Sequence, residues 1–514
     1  MANSKMKFQP ITALCSAILL TVFSQNGFTG ELENRLIQQT ISAYGGDKLS
    51  QLKNLKFTDN MLHFFAMQSG HSQQGPMTTH LNKYQIETII DFENQRKNFK
   101  RVTNRLVGNH GSDSVTTTHQ IFDGTAGYSL DQCLQNYRGL DWINFNNADA
   151  GYTQMLDTLI IKQLENAKDN SQHTDVAYIE GQAHDVLTIN SGTKQQYTLY
   201  INQQTHYLTR MLKMRGQTLR SYDFLNHQQT QGITWAKQMV VSTDKTPIYY
   251  TDERNISVNL TEPLNFKLPS NYQATVPTRF FDSSKLTIRK LADNIYFVGQ
   301  NWGYTLFIDV GDHYISIGAW QESPSSKAWQ RGLELLNKTT GTNKPVGKHI
   351  VTHHHTDHMA GLNDIVSQGT SLVVHTPDIP AVKQHLQQNL ANDTIIPVGG
   401  KSYLAGGKIM LFDLPTSHAS HNLMLYLPEH GILFTEDIFG SSYQADLESP
   451  NSWPSLDTYQ RLDKLVTKIN KLDLNVEQYV SSHHGRILSQ NDIDKAQTLI
   501  CPAQNKRAAE LLSL

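Results

Sequence analysis

The sequence predicts an α+β chain of two domains. A mostly antiparallel β half with an N-terminal helix precedes a half in which strands alternate with helices. Three observations carry this. Between about Leu55 and Gln273, short runs rich in β-branched and aromatic residues alternate with Asn, Gln, Asp and Gly. From Asn294 onward, strand-like runs are separated by segments of helical spacing. Residues 276–286, with Pro277 and the Ser283-Ser284 pair, read as a linker between the two patterns. The length of 514 residues also exceeds one ordinary domain.

At the N-terminus, Lys5 and Lys7 precede the mostly apolar run Ile11 to Phe23, which is shorter than the roughly 20 residues a membrane span needs. Residues 1–24 are therefore expected to be an export signal cleaved near Val22 and Ser24, which would place the protein in the periplasm or outside the cell. The first domain is then expected over 25–275. Leu32, Leu36, Ile37, Ile41, Leu49 and Leu52 share one helical face, with a break at Tyr44-Gly45-Gly46. Strands are expected at Gln196 to Ile201, Tyr207 to Met214 and Lys237 to Val241, with turns at Asn202 to Thr205 and Asn226 to Gly232. Met155, Leu156, Leu159 and Ile160 mark a helical or irregular middle. The second domain is expected over 287–514, with a strand at Asn294 to Val298 and helices at Ser326 to Asn337, Ile379 to Asn389 and Asn491 to Leu514.

Composition narrows the function. A net charge of −2 without a long basic block argues against nucleic acid as the main partner. After export only Cys133 and Cys501 would remain, in different domains, so two unpaired thiols are expected and a C-x-x-C site is excluded. No later segment is long and apolar enough to span a bilayer.

The chemistry concentrates in His353-His354-His355-Thr356-Asp357-His358, four imidazoles and a carboxylate in six residues, released by the apolar run that ends at Val351. Imidazole suits zinc, and carboxylate is a harder ligand. Further along come Thr416 to Asn422 with His418, the strand Ile432 to Thr435 running into Glu436-Asp437, and Val480-Ser481-Ser482-His483-His484-Gly485. The spacing H-x-H-x-D-H, followed in order by a His, an acid and a last His, resembles the signature of the metallo-β-lactamase-fold hydrolases over about residues 285–490. That resemblance implies an αββα sandwich. It implies a first metal site of His353, His355 and His418, a second of Asp357, His358 and His484, and Asp437 bridging both. It further implies two zinc ions, with iron or manganese as alternatives, a hydroxide shared between them, and Asp357 as the catalytic group that orients it. Two positions depart from the family pattern. Glu436 stands where Gly is usual, and Gly318 falls where a supporting Asp commonly ends the first strand pair. His354 is expected to point away from the metals, and Asn422 to be structural. His421 and His483 are candidates for contacts around the site, Tyr443 for an oxyanion donor and Trp320 for a pocket wall.

The stretches Tyr222 to Phe224, Gly232 to Trp235 and Leu264 to Pro269 give the first half a faint similarity to the bacterial lipoprotein-carrier fold. Three functions follow. The leading one is an exported binuclear-zinc hydrolase of an ester, thioester, lactone or β-lactam type bond in a small molecule that may carry an apolar chain. The alternatives are a mononuclear-iron sulfur dioxygenase of the same fold and a non-catalytic lipid- or ligand-binding protein.

Overall fold

The computed structural model describes residues 30–68, 77–107, 115–132, 134–275, 284–301, 303–319, 327–386, 394–416, 418–442, 447, 456–483 and 485–499. The expected export signal, Cys133, Pro277, Ser283, Trp320, Tyr443, His484 and Cys501 lie outside them.

Residues 54–274 form one 14-stranded sheet among the described residues. Its strands are antiparallel neighbours throughout, except that Gln273–Ala274 lies parallel to Asn136–Gly139. The meander runs outward from Asn54–Gln68 to Asn136–Gly139. It resumes at the opposite edge with Ser171–Ile179 and returns to Thr246–Val258. That last strand pairs with the first, Leu55 opposite Val258, so the domain's two ends meet in its middle. Three helices pack against the sheet. Glu31–Ala43 contributes Leu36, Ile37 and Ile41, and Asp157–Leu164 contributes Leu159, Ile161 and Leu164. They bury Phe57, Phe99, Leu199 and Phe224 beneath them, each worth about 1.5–3 kcal/mol of transfer from water. Tyr44-Gly45-Gly46 does separate Glu31–Ala43 from the short helix Asp47–Ser50.

Two buried acids inside this core are paired with donors. Arg254 donates to both oxygens of Asp59 at 2.8 Å, with both side chains buried. Asp157 accepts from Tyr44 Oη at 2.8 Å and from the Ala236 amide at 3.1 Å. One expected turn is shorter than its sequence suggests. The strand Thr218–Thr230 runs straight through Asn226, and only Gln231-Gly232, both at positive φ, reverse the chain. Asn226 adopts a φ of 55° without shifting register, since Leu225 opposes Gln238 and His227 opposes Ala236.

The C-terminal region is a sandwich of a 7-stranded and a 6-stranded sheet. Strict alternation splits each strand between two environments. Leu306, Ile308, Ile315 and Ile317 face Ile409, Leu411, Leu425 and Phe434 of the other sheet. On the outer face of the first sheet, Phe307 and Tyr314 meet the helices Ala328–Thr340 and Leu362–Ser367. On the outer face of the second, Met410, Phe412 and Tyr426 meet Leu456–Lys471 and Gln490–Thr498. This is the expected αββα arrangement. Parallel pairing of Tyr314–Ile317, Val346–Val351 and Ser371–His375, and of Ile432–Phe434 with Gln478–Val480, sends several strand ends to one edge of the sandwich. No helix among the described residues is long and apolar enough to cross a membrane.

His349 shows what burial does to a titrating group in this core. It is 1% exposed, hydrogen-bonded through Nδ1 to Ser316 Oγ at 2.8 Å, and burial pushes it down to about 3 from 6.5. The folded state thus refuses a proton that the unfolded state takes up below pH 6.5. Its contribution is whole above that pH and falls as acid is added, at about 1.4 kcal/mol per pH unit. In chemical denaturation of the metal-free protein, His349→Gln should therefore narrow the stability gap between pH 7 and pH 5 by roughly 2 kcal/mol. An unchanged gap would refute this.

Candidate metal centre

Each polar side chain at this edge is delivered by a strand end. Val346–Val351 stops and releases Thr352, His353 and His355, while Thr356–Met359 turns Asp357 and His358 back as one short helix. Ile409–Asp413 leads to His418, Ile432–Phe434 to Glu436 and Asp437, and Gln478–Val480 to Ser482 and His483. Backbone bonds fasten the loops together. Leu423 N donates to Thr352 O at 2.7 Å, Thr435 N to Val480 O at 2.7 Å, and Tyr304 N to Ser482 O at 2.8 Å. Gly485 lies flat on the Tyr304 ring, where a Cβ would come within 2.3 Å of a ring carbon. Only glycine permits that approach.

Three ring nitrogens meet in the first cluster. His353 Nε2 lies 3.0 Å from His355 Nδ1 and 3.1 Å from His418 Nε2, and the last two are 3.0 Å apart. Ligands of one tetrahedral ion with bonds of about 2.0–2.1 Å stand roughly 3.3 Å apart, so this triangle has nearly the dimensions a cation requires. Burial and the neighbouring rings of His358 and His418 hold His353 well below the usual imidazole range, and burial with His418 and His353 does the same to His355. Neutral imidazoles are the form that ligates.

The second cluster joins Asp357, His358, Asp437 and His483. Asp437 Oδ1 lies 2.9 Å from His483 Nε2, and Oδ2 lies 3.0 Å from His358 Nε2. That same Oδ2 is 3.1 Å from His418 Nε2, so one carboxylate touches both clusters. Asp357 Oδ2 is 3.4 Å from His358 Nε2 and 3.8 Å from His483 Nε2. Its Oδ1 is buried without a hydrogen-bond partner, as is His355 Nε2. The Asp357 side chain is 27% exposed, against 7% for Asp437, so Asp357 is the carboxylate on the open side. Burial opposes a charge on His358, but Asp357, Asp437 and Glu436 outweigh it and hold the ring well above the imidazole range. Burial likewise opposes ionisation of Asp437, and His358 and His483 overcome it. This cluster is a field that attracts positive charge. Its donors, two imidazoles and two carboxylates, suit a divalent cation.

Six of the expected ligands, His353, His355, Asp357, His358, His418 and Asp437, are brought together. The expected ligand His484 lies outside the described residues; among those described, the second histidine of this cluster, beside His358, is His483. The Ser482 carbonyl held on Tyr304 N, and the bond from His483 N to Ser481 Oγ at 3.1 Å, turn His483 inward. His354 faces Asp378 at 3.5 Å and joins neither cluster. Asn422 donates to the carbonyls of Leu414 and Ala419 at 2.9 and 3.0 Å, a structural role. His421 is turned to Asp413 at 3.0 Å and packs on His375 with ring centres 4.7 Å apart, a grouping the spacing did not signal.

Glu436 is fully buried at a φ of 51°, a left-handed conformation that costs a non-glycine residue about 1–3 kcal/mol. Its carboxylate accepts from Thr352 Oγ1 at 2.6 Å and from Ser482 Oγ, and lies 2.7 Å from His358 Nδ1. The Glu436 carboxylate is thus held by Thr352, Ser482 and His358 Nδ1, while His358 Nε2 faces Asp437.

Metal titration monitored by equilibrium dialysis should show His483→Ala binding less metal than the unsubstituted protein and His354→Ala binding the same amount. Loss of an equivalent from His484→Ala, with His483→Ala intact, would reverse the assignment.

Residues 289–483 match the model of the metallo-beta-lactamase superfamily. Among solved structures, the DIM-1 metallo-beta-lactamase is similar at 17% identity, covering 42% of this chain and 97% of its own, with a TM-score of 0.32. FIM-1 from Pseudomonas aeruginosa, in its mono-zinc form, is similar at 17% identity, covering 44% and 98%, with a TM-score of 0.32. A metallo-beta-lactamase from Pontibacter korlensis is similar at 16% identity, covering 42% and 99%, with a TM-score of 0.31. No curated protein matches. Residues 289–483 are thus similar to the metallo-beta-lactamase superfamily, and the clustered imidazoles and carboxylates at their sandwich edge support a metal-dependent hydrolase.

Proposed function

We propose that the protein is an exported binuclear zinc hydrolase that cleaves an ester, thioester, lactone or β-lactam type bond in a small molecule. The observation that carries the reading is the Asp437 carboxylate, which touches an imidazole of each cluster through one oxygen. His353, His355 and His418 would hold one ion, Asp357, His358 and His483 the other, and Asp437 both. Imidazole-rich donors favour zinc over manganese or magnesium. When bound, such ions supply Lewis acidity that lowers the pKa of water and polarises an acyl oxygen.

The chain's own residues then do the positioning. Burial of His353 and His355 keeps those rings neutral, so little reorganisation is needed on binding. Asp357, held below the usual carboxylate range chiefly by His358 against the effect of burial, stays ionised on the open side. It is placed to accept a proton from an attacking water and hand it to the leaving group. The buried inner wall, from Ile317 through Ile350 to Phe434, excludes water from the far side.

A second reading concerns the first domain. A cavity of about 940 Å³ opens between its helices and sheet, with an apolar wall of Phe92, Phe145, Leu159 and Ile160 and a polar one that includes Lys97 and Lys162. With the lipoprotein-carrier resemblance, this supports a domain that holds an apolar-chain substrate for the second. Elemental analysis of the full-length mature protein should give two equivalents of zinc. A panel of nitrocefin, lactone, thioester and phosphodiester substrates should single out one acyl class, with turnover rising with acyl chain length. One equivalent of iron with oxygen uptake on a persulfide would establish the dioxygenase instead. Bound lipid with metal but no turnover would establish a binding protein.

A further inference from the structure

Glu436 is a buried carboxylate that groups with one histidine of each cluster, His353 of the first and His358 of the second. Thr352 Oγ1 donates its single proton to Glu436 Oε1 at 2.6 Å. Only lone pairs of that hydroxyl remain for His353 Nδ1, 3.2 Å away, so Nδ1 must carry the ring proton. His358 Nδ1 lies 2.7 Å from the same Oε1, a charge contact without hydrogen-bond geometry, and a carboxylate oxygen at that distance favours a proton on Nδ1 over a lone pair. Ser482 Oγ donates to Oε2 and holds the carboxylate in place. In the neutral ring that ligation requires, a proton on Nδ1 leaves Nε2 bare, and Nε2 is the atom each ring turns toward its cluster.

We propose that Glu436 is a positioning residue that sets the tautomer of one histidine in each half-site, His358 directly and His353 through Thr352. It thereby couples the affinities of the two metal positions. The inference rests on the binuclear reading above. A carboxylate could not have come from the end of the first strand pair. Gly318 sits there at a φ of 92°, and a Cβ would lie 2.6 Å from the Tyr304 carbonyl oxygen. Glu436 supplies the group from the opposite sheet, on the strand that also carries Asp437.

Zinc added to the metal-free full-length protein, in competition with a chromophoric chelator, tests this. Glu436→Gly, which also relieves the left-handed backbone, should weaken both equivalents by about 10- to 100-fold, the usual effect of removing a group that orients a ligating histidine. Glu436→Gln keeps one acceptor oxygen and should recover most of the loss. Thr352→Val should weaken only the first equivalent and leave the second within about twofold. Two-bond ¹⁵N–¹H spectra of the zinc-loaded protein should show Nδ1–H on His353 and His358, and exchange broadening of both in Glu436→Gly. Both affinities unchanged in Glu436→Gly, or Thr352→Val acting equally on both equivalents, would overturn the proposal. If Glu436→Gly does not fold, Thr352→Val decides alone. If the unsubstituted protein binds fewer than two equivalents, it is the binuclear reading that fails; if it binds two and the variants match it, only the role of Glu436 does.

Discussion

Glu436 and Asp437 lie side by side at the end of Ile432–Phe434, both nearly inaccessible. Burying two carboxyl groups in an apolar interior is costly unless donors or positive charge lie within reach. The surrounding structure answers that demand. Thr352 and Ser482 turn hydroxyls toward Glu436, and His358 lies between the two acids. His483 approaches Asp437 from the strand end opposite. Four strand ends must therefore arrive at one edge in fixed positions. The parallel pairings within each sheet make this possible, because parallel neighbours end on the same side.

The sandwich supplies the rigidity this needs. Period-2 alternation gives each sheet an inner face shared with the other and an outer face covered by helices, so each strand is held from both sides. A cluster on such ends can hold its nitrogens close together in advance of any ligand. The first domain uses the same alternation differently. Its sheet carries a helical layer on its buried face, and its first and last long strands pair with each other.

Much of this is legible in the linear sequence, and the boundary is physical. His353, His355, Asp357 and His358 come from one short segment, so their spacing alone announces a ligand set. The αββα order and the break at Tyr44-Gly45-Gly46 likewise follow from local pattern. His483 is followed by a second histidine, so the sequence alone does not say which joins the cluster; the bonds at Ser481 and Ser482 that turn His483 inward are made by tertiary contact. The pairing of Asn54–Gln68 with Thr246–Val258 spans nearly the whole domain and leaves no local trace. Asn226 has the composition of a turn but lies within a strand, where register with Gln238 and Ala236 overrides local preference.

Glu436 marks the limit of motif reading most clearly. By pattern it is a departure, a charged residue where a small one is usual, and its backbone is in the region that favours glycine. Yet a left-handed glutamate costs about 1–3 kcal/mol, while a hydrogen bond to a charged group contributes about 1.5–3 kcal/mol. Glu436 receives two such bonds from hydroxyls and faces a third donor on His358. On these magnitudes the side chain outweighs the backbone. The residue that looks like a defect in the motif is then one of the groups that shape the site, and its effect is carried by protons on ring nitrogens that a sequence pattern does not display.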